Sequence, residues 1–372
     1  MISRGEAGRH GSGRTLLAAS LHLFVVALSF TLTACGREAR WTRLDVAELR
    51  RDPLLRLPNE PIVTLASAPD GAVFVSTFQG NVYRRMPGGG AWTRIGTAPN
   101  SIGRPAQLTI HPFSARAFVA TEFSRIYRWR EGEPIREEKT VFSDSLVGCG
   151  DFSSFIWLRA VWGTEDDTYV AADHGNVLHY RGGRWTLERT PLTDVQPDPC
   201  VESFASDLMA IGGADGWVYA AGRRIVRSRG DGRWQEVRGP ARGDTTAAIG
   251  AIASQDGGML FAAALWRGHD VAEPTGRAAM RFYRPGQEGE WTEVTRAPPP
   301  ARYASVVQAH ERGPAVFFSW GGTWMTVVDG RRVRAWWPKD GHTDLRGGVP
   351  VGRDVWIAVN DSVTGLVVRL PR

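Results

Sequence analysis

Residues 158–188 read LRAVWGTEDDTYVAADHGNVLHYRGGRWTLE, and the punctuation of this stretch sets the architecture. Leu158 to Trp162 is a short apolar run closed by Gly163 and the acidic turn Glu165-Asp166-Asp167. Thr168 to Ala171 follows, then His174-Gly175-Asn176, Val177 to Tyr180, Gly182-Gly183, and Trp185 to Glu188. Short apolar segments with period-two patterning, separated by Gly-, Asn- and Asp-containing turns, describe four consecutive antiparallel strands.

The same arrangement recurs in both directions along the chain. Its second strand is centred on an aromatic residue seven times, at Phe74, Phe118, Tyr169, Tyr219, Phe261, Phe317 and Trp356, at successive intervals of 44, 51, 50, 42, 56 and 39 residues. The mean of 47 is the length of a four-stranded blade rather than of a helical repeat. The chain is therefore expected to be all-β, a seven-bladed β-propeller. Six or eight blades are the alternative counts, because the second and sixth copies lack the tryptophan that opens the outer strand at Trp92, Trp185, Trp234 and Trp291. An indole at a blade edge packs across the neighbouring sheet while its N–H reaches a turn carbonyl, so these tryptophans are read as packing devices.

The seventh copy stops at Arg372 without an outer strand, and Trp41-Thr42-Arg43-Leu44 closely matches Trp92-Thr93-Arg94-Ile95. The N-terminal strand near Trp41 is thus expected to pair with the last blade and close the ring, removing two open sheet edges.

Ahead of that strand, Arg4, Arg9 and Arg14 precede an apolar stretch from Leu16 to Leu32, the layout of a secretory signal. Leu32-Thr33-Ala34-Cys35 then resembles the lipobox of bacterial lipoproteins. That resemblance implies a signal peptide over 1–34, lipidation of Cys35 with acyl chains of the palmitate class, a tether over 35–40 and one propeller domain over 41–372. An uncleaved membrane anchor, or a signal cut elsewhere, is the alternative. The implied location is a bacterial membrane, anchored through lipid and facing the periplasm or cell surface, with Gly36 after the cysteine fitting outer-membrane delivery. Gly36 to Arg40 spans at most roughly 18 Å. An outer strand starts on the face that carries the first-to-second and third-to-fourth strand turns, so that face is expected near the membrane. The opposite face would bind. It carries the blade connections and the long segments Asp45 to Glu60, Ser143 to Ile156, Pro191 to Phe204 and Arg267 to Gly276.

Net charge is +6, and of the 45 basic residues only Lys139 and Lys339 are lysine, leaving 43 arginines. This skew reads as genome composition, and no nucleic-acid partner is expected. Cys149 and Cys200, in the connections flanking the third blade, read as a disulfide in an exported chain, with two unpaired thiols as the alternative. The histidines lack metal-ligand spacing, and no Gly-x-Ser-x-Gly elbow or phosphate-cradling loop occurs, so no metal, cofactor or catalytic residue is assigned.

Ser228-Arg229-Gly230-Asp231-Gly232-Arg233-Trp234 resembles a shortened Asp-box hairpin, as in sialidases, sortilin-like receptors and photosystem assembly factors, and the third copy is similar to other exported propeller repeats. In those families the hairpin is structural, so the resemblance implies a propeller without importing catalysis. The expected function is a non-enzymatic binding or assembly module at the cell envelope, with an envelope protein or glycan as ligand. Gln107, Arg159, Gln308 and Arg346, from the innermost strands, are the candidate ligand contacts. The alternative is a sialidase- or lyase-like enzyme, which requires three converging arginines and a tyrosine–carboxylate pair at the channel mouth.

Overall fold

The computed structural model describes residues 40–101, 103–141, 156–193, 207–242, 245–255, 258–267, 280–286, 290–297, 314–318, 325–329, 332–338, 344–361 and 363–370. They form seven antiparallel blades in a ring, a seven-bladed β-propeller. Blade 3 has strands Leu158–Gly163, Asp167–Ala172, Asn176–Arg181 and Arg184–Arg189, in sequence order from the channel outward. Blades 1, 2 and 4 repeat this order, and blade 5 adds the short strand Ala241–Arg242 beside its inner strand Thr245–Gln255.

The repeating aromatics are the bearings between blades. Phe74, Phe118, Phe261 and Phe317 have no exposed surface, and Tyr169, Tyr219 and Trp356 are nearly as buried. Phe74, Tyr169, Tyr219 and Trp356 face the next blade, whereas Phe261 and Phe317 face the preceding one, so that Tyr219 and Phe261 meet edge-on at 5.7 Å. Phe118 likewise turns back onto Phe74, at 5.8 Å, while Val119 takes the forward-facing place and packs with Val170 and Leu178 of blade 3. A one-residue shift on a strand exchanges its two faces.

Ring closure uses the N-terminal segment, as expected, but with a different division of labour. Strand β1 (Arg40–Leu44) pairs in parallel with Arg332–Pro338 of blade 6, in the register Trp41 to Ala335. A single helical turn, α1 (Val46–Leu49), leads to β2 (Leu55–Leu57), which is antiparallel to Thr364–Leu370 and supplies the outer strand of blade 7. Trp41 therefore sits on the sixth blade and not the last. The reason lies in chain continuity: Leu57 is five residues from the first strand of blade 1, which begins at Ile62, whereas Leu44 is far upstream. Leu44 is buried among Val316, Met325 and Trp336 of blade 6 and Ile357, Val359 and Leu366 of blade 7, with Leu49 packed alongside. The N-terminal segment thereby holds two blades together, and Asp45 to Glu60 is ordered structure rather than a loop.

The two faces of the ring are defined by their turns. Inner-to-second and third-to-outer turns lie on one face, here called the hairpin face. Blade connections and second-to-third turns lie on the other, the connection face. Strand β1 runs toward the connection face, where Arg50 pairs with Asp361 at the second-to-third turn of blade 7, at 3.0 Å. Arg40 accordingly begins at the hairpin face.

Five inner strands share an irregularity invisible in the sequence. The register of the first hairpin slips by one residue at Val63, Arg159, Met209, Gly250 and Arg346. Each slip is a β-bulge near the connection face, and a bulge re-aims the side chain it carries.

Candidate ligand-binding site

The inner strands enclose a channel of about 610 Å³ lined by small and apolar side chains such as Ala66, Ile110, Ile211 and Ile252. Its charged lining residues stand at the ends: Arg159 toward the connection face, Glu165 and Asp166 in the hairpin-face turn of blade 3. His111, on the wall, is neutral, because burial pulls its pKa down to about 4 against a backbone hydrogen bond with Gly163. Among the described residues, charged groups of the lining therefore lie toward the two ends.

At the connection-face mouth the bulge residues Arg159 and Arg346 are both committed to carboxylates. Arg159 grips Asp173 with two hydrogen bonds, Nε to Oδ1 at 2.6 Å and Nη2 to Oδ2 at 3.1 Å. Burial and the charge of Asp207 push the Asp173 pKa up to about 6, opposed by Arg159. Arg346 donates from Nε to Asp344 and lies 5.5 Å from the ring centre of Phe78. Gln107 lies two residues before the inner strand of blade 2, which begins at Thr109, and its backbone N–H donates to Glu122 Oε1 at 2.8 Å. Arg104 Nη1 reaches the same oxygen at 3.0 Å, while Glu122 Oε2 is buried without a hydrogen-bond partner.

Two aromatic rings complete this mouth. Phe123 and Trp157 are 43% and 40% exposed, unusual for residues of this size, and they meet edge-on at 5.7 Å with 68° between their planes. Phe123 sits in the second-to-third turn of blade 2 at φ +48°, a left-handed conformation costly for a bulky side chain. His174 has the equivalent place in blade 3, at φ +58°. Backbone bonds fix the corner: Leu158 N–H donates to Phe123 O at 2.8 Å, and Asp173 N–H donates to Trp157 O at 3.0 Å. Arg104 lies 6.0 Å from the Phe123 ring centre and Arg159 lies 5.2 Å from that of Trp157.

The structure thus places Gln107, Arg159 and Arg346 at the connection-face end of inner strands, on blades 2, 3 and 7. Gln308 lies outside the described residues, as do Cys35, Cys149 and Cys200 with their expected lipidation and disulfide. The long segments of blade 3's connections and of blade 5 fall largely there too. Sequence reasoning missed Phe123, Trp157, Glu122 and Asp173. Phe123 had a signal, since it stands in a turn where a small or glycine-like residue is normal. The exposure of Trp157 had none, because a tryptophan beside an apolar strand reads as core.

The arrangement required by the enzymatic alternative is not found among the described residues. Arg159 and Arg346 form separate ion pairs. The tyrosine–carboxylate pairs seen among the described residues, Tyr83 with Glu60 at 3.1 and 3.2 Å and Tyr169 with Asp167, lie outside the channel lining. Burial and the Glu60 charge raise the Tyr83 pKa, the reverse of activation. Among the described residues no three His, Cys, Asp or Glu side chains converge to hold a metal ion, and no helix is long and apolar enough to cross a membrane.

The outer-strand tryptophans lie outside the mouth and act as staples. Each indole N–H reaches back to the preceding blade: Trp92 to Leu54 O at 3.0 Å, Trp291 to Arg238 O at 2.7 Å, Trp185 to Glu138 Oε2 at 3.1 Å and Trp234 to Glu188 Oε2 at 2.7 Å. Two use carbonyls, as expected, and two use a glutamate of the neighbouring outer strand. Beside Trp234, the turn from Ser228 is closed by Asp231 Oδ1, which accepts from Ser228 Oγ at 3.2 Å and from Arg233 N–H at 3.0 Å.

No protein-family model and no curated protein matches the chain. Solved structures resemble it in fold. The WD40 domain of Neurospora crassa Pan2 superposes with a TM-score of 0.50 at 11% identity, over 86% of this chain and 95% of that one. The extracellular domain of a hybrid two component system from B. thetaiotaomicron gives 0.52 at 9% identity, over 84% of this chain and 38% of that one. The computationally designed Ika8 protein gives 0.50 at 12% identity, over 84% and 98%. At these identities the likeness is one of fold alone.

Proposed function

We propose that this protein is a lipid-anchored binding module of the bacterial cell envelope that engages its ligand on the connection face. The observation carrying the reading is the corner of Phe123 and Trp157, two large rings kept in solvent at the mouth of a rigid ring by backbone hydrogen bonds and a left-handed turn. Solvent-exposed aromatics on a preformed scaffold are the currency of recognition rather than of stability. The orientation of β1 supports the anchoring half of the proposal. A chain acylated at Cys35 would leave the ring from the hairpin face within about 5 residues, which turns the connection face away from the bilayer.

Membrane fractionation tests the anchor. Wild-type protein is expected in the membrane fraction and Cys35→Ser in the soluble fraction, and equal partition of the two would overturn it. Incubation of purified protein with a panel of polysaccharides tests the non-enzymatic reading, which fails if reducing ends are released above the buffer control.

A further inference from the structure

The mouth between blades 2 and 3 has a chemistry more specific than generic binding. Phe123 and Trp157 stand at 68° to one another, so one ring offers a floor and the other a wall. Behind each ring lies a guanidinium that is already neutralised, Arg104 by Glu122 and Arg159 by Asp173. The arginines therefore hold no free positive charge for an anion. The polar rim nonetheless offers both hydrogen-bond senses at short range: N–H groups of the partly exposed Arg104 and Arg159 as donors and the Asp173 carboxylate as acceptor. Glu122 itself is almost wholly buried and serves to hold Arg104 in place.

Resting on the connection-face reading above, we infer that this corner is a subsite for an uncharged saccharide. A pyranose ring has an apolar C–H face that stacks on an indole or phenyl ring and an edge of hydroxyls that each donate and accept. An apolar floor and wall, flanked by charge-balanced Arg–carboxylate pairs, match that combination. Uronate, sialate and phosphate groups would meet the Asp173 carboxylate, and both arginines described at this corner are already ion-paired.

The test is isothermal titration of the purified full chain with cellohexaose, maltohexaose and chitohexaose, and with hexagalacturonate as the anionic counterpart. Saturable binding of at least one neutral hexasaccharide is expected, with no binding of hexagalacturonate. Trp157→Ala is expected to weaken it at least tenfold and Trp157→Phe by less than threefold. Phe123→Gly is the safeguard against simple misfolding. Glycine relieves the positive φ, so the variant should melt at or above the wild-type temperature while losing at least fivefold in affinity. Preference for hexagalacturonate, wild-type affinity in both Trp157→Ala and Phe123→Gly, or no binding of any neutral oligosaccharide would overturn the inference. The last result would leave the anchored binding module intact if photo-crosslinkers at positions 123 and 157 joined a defined envelope protein. If those positions joined nothing as well, the connection-face reading would fall with it.

Discussion

The interface between blades 2 and 3 and that between blades 3 and 4 are built on one plan with one substitution. In both, an outer-strand tryptophan donates to a glutamate of the preceding blade, Trp185 to Glu138 and Trp234 to Glu188, and the glutamate is held by a cation from the third strand of its own blade. At the first interface the cation is Arg128, 2% exposed, whose Nε meets Glu138 at 2.9 Å while its guanidinium lies 4.1 Å from the Tyr180 ring centre. At the second it is His179, bonded to Glu188 at 2.7 Å and to Asp167 at 2.6 Å and stacked on Tyr169 at 4.0 Å. Arg84 and Arg227 occupy the corresponding positions on blades 1 and 4, so histidine is the exception among four successive blades. The geometry is conserved across the interfaces while the charge is permanent in one and titratable in the other.

The difference predicts where pH acts. Burial opposes protonation of His179, but Glu188 and Asp167 more than offset it, and its pKa is raised above 6.5. A raised folded-state pKa means that the contribution of the charged staple is fully present below the unfolded value near 6.5. It is lost as pH climbs through the folded value. The Arg128 staple has no such window, because guanidinium stays charged throughout.

The largest effect is expected from Arg128→Met, which strands Glu138 and the carbonyl of Glu165 that Arg128 also serves. Loss of about 3 kcal/mol in urea denaturation is expected, nearly constant from pH 5.5 to 8.5. A strong pH slope in that difference would break the comparison. His179→Gln is expected to cost about 2 kcal/mol at pH 5.5 and progressively less as pH rises above 6.5. A cost that grows with pH would reverse the assignment. His179→Arg sharpens the contrast, since a long guanidinium at that place should flatten the pH dependence of the second interface toward that of the first. The smallest effect belongs to the indoles. Trp185→Phe and Trp234→Phe each remove one hydrogen bond and little area, about 1 kcal/mol apiece, with Trp234→Phe the more pH-sensitive of the two.

The same contrast shows how far the residues alone carry the reading. The blade plan was legible because it is written in local signals: period-two apolar runs, Gly and Asn turns, and an aromatic at the centre of each second strand. The staple tryptophans were legible as packing residues, but not their partners, since Glu138 and Glu188 are ordinary surface residues in sequence and become acceptors only when two blades abut. At the candidate site, Arg159 and Arg346 were found as inner-strand polar residues. Their carboxylate partners and the Phe123–Trp157 corner came from turns and strand ends of separate hairpins, which no local pattern links.

The sequence by itself determined the order and internal grammar of the blades, with seven as the leading count beside six or eight, because strand and turn preferences act over a few residues and recur along the chain. Tertiary structure decided which edge received β1 and which received β2, since strands compete for open edges through contacts hundreds of residues apart. It also decided where the inner-strand bulges fall and hence where Arg159 and Arg346 point, and it paired each guanidinium with a carboxylate. Those pairings balance the charge of the mouth's two bulge arginines, because the field at a site is set by the groups that fold next to one another and not by the net charge of the chain.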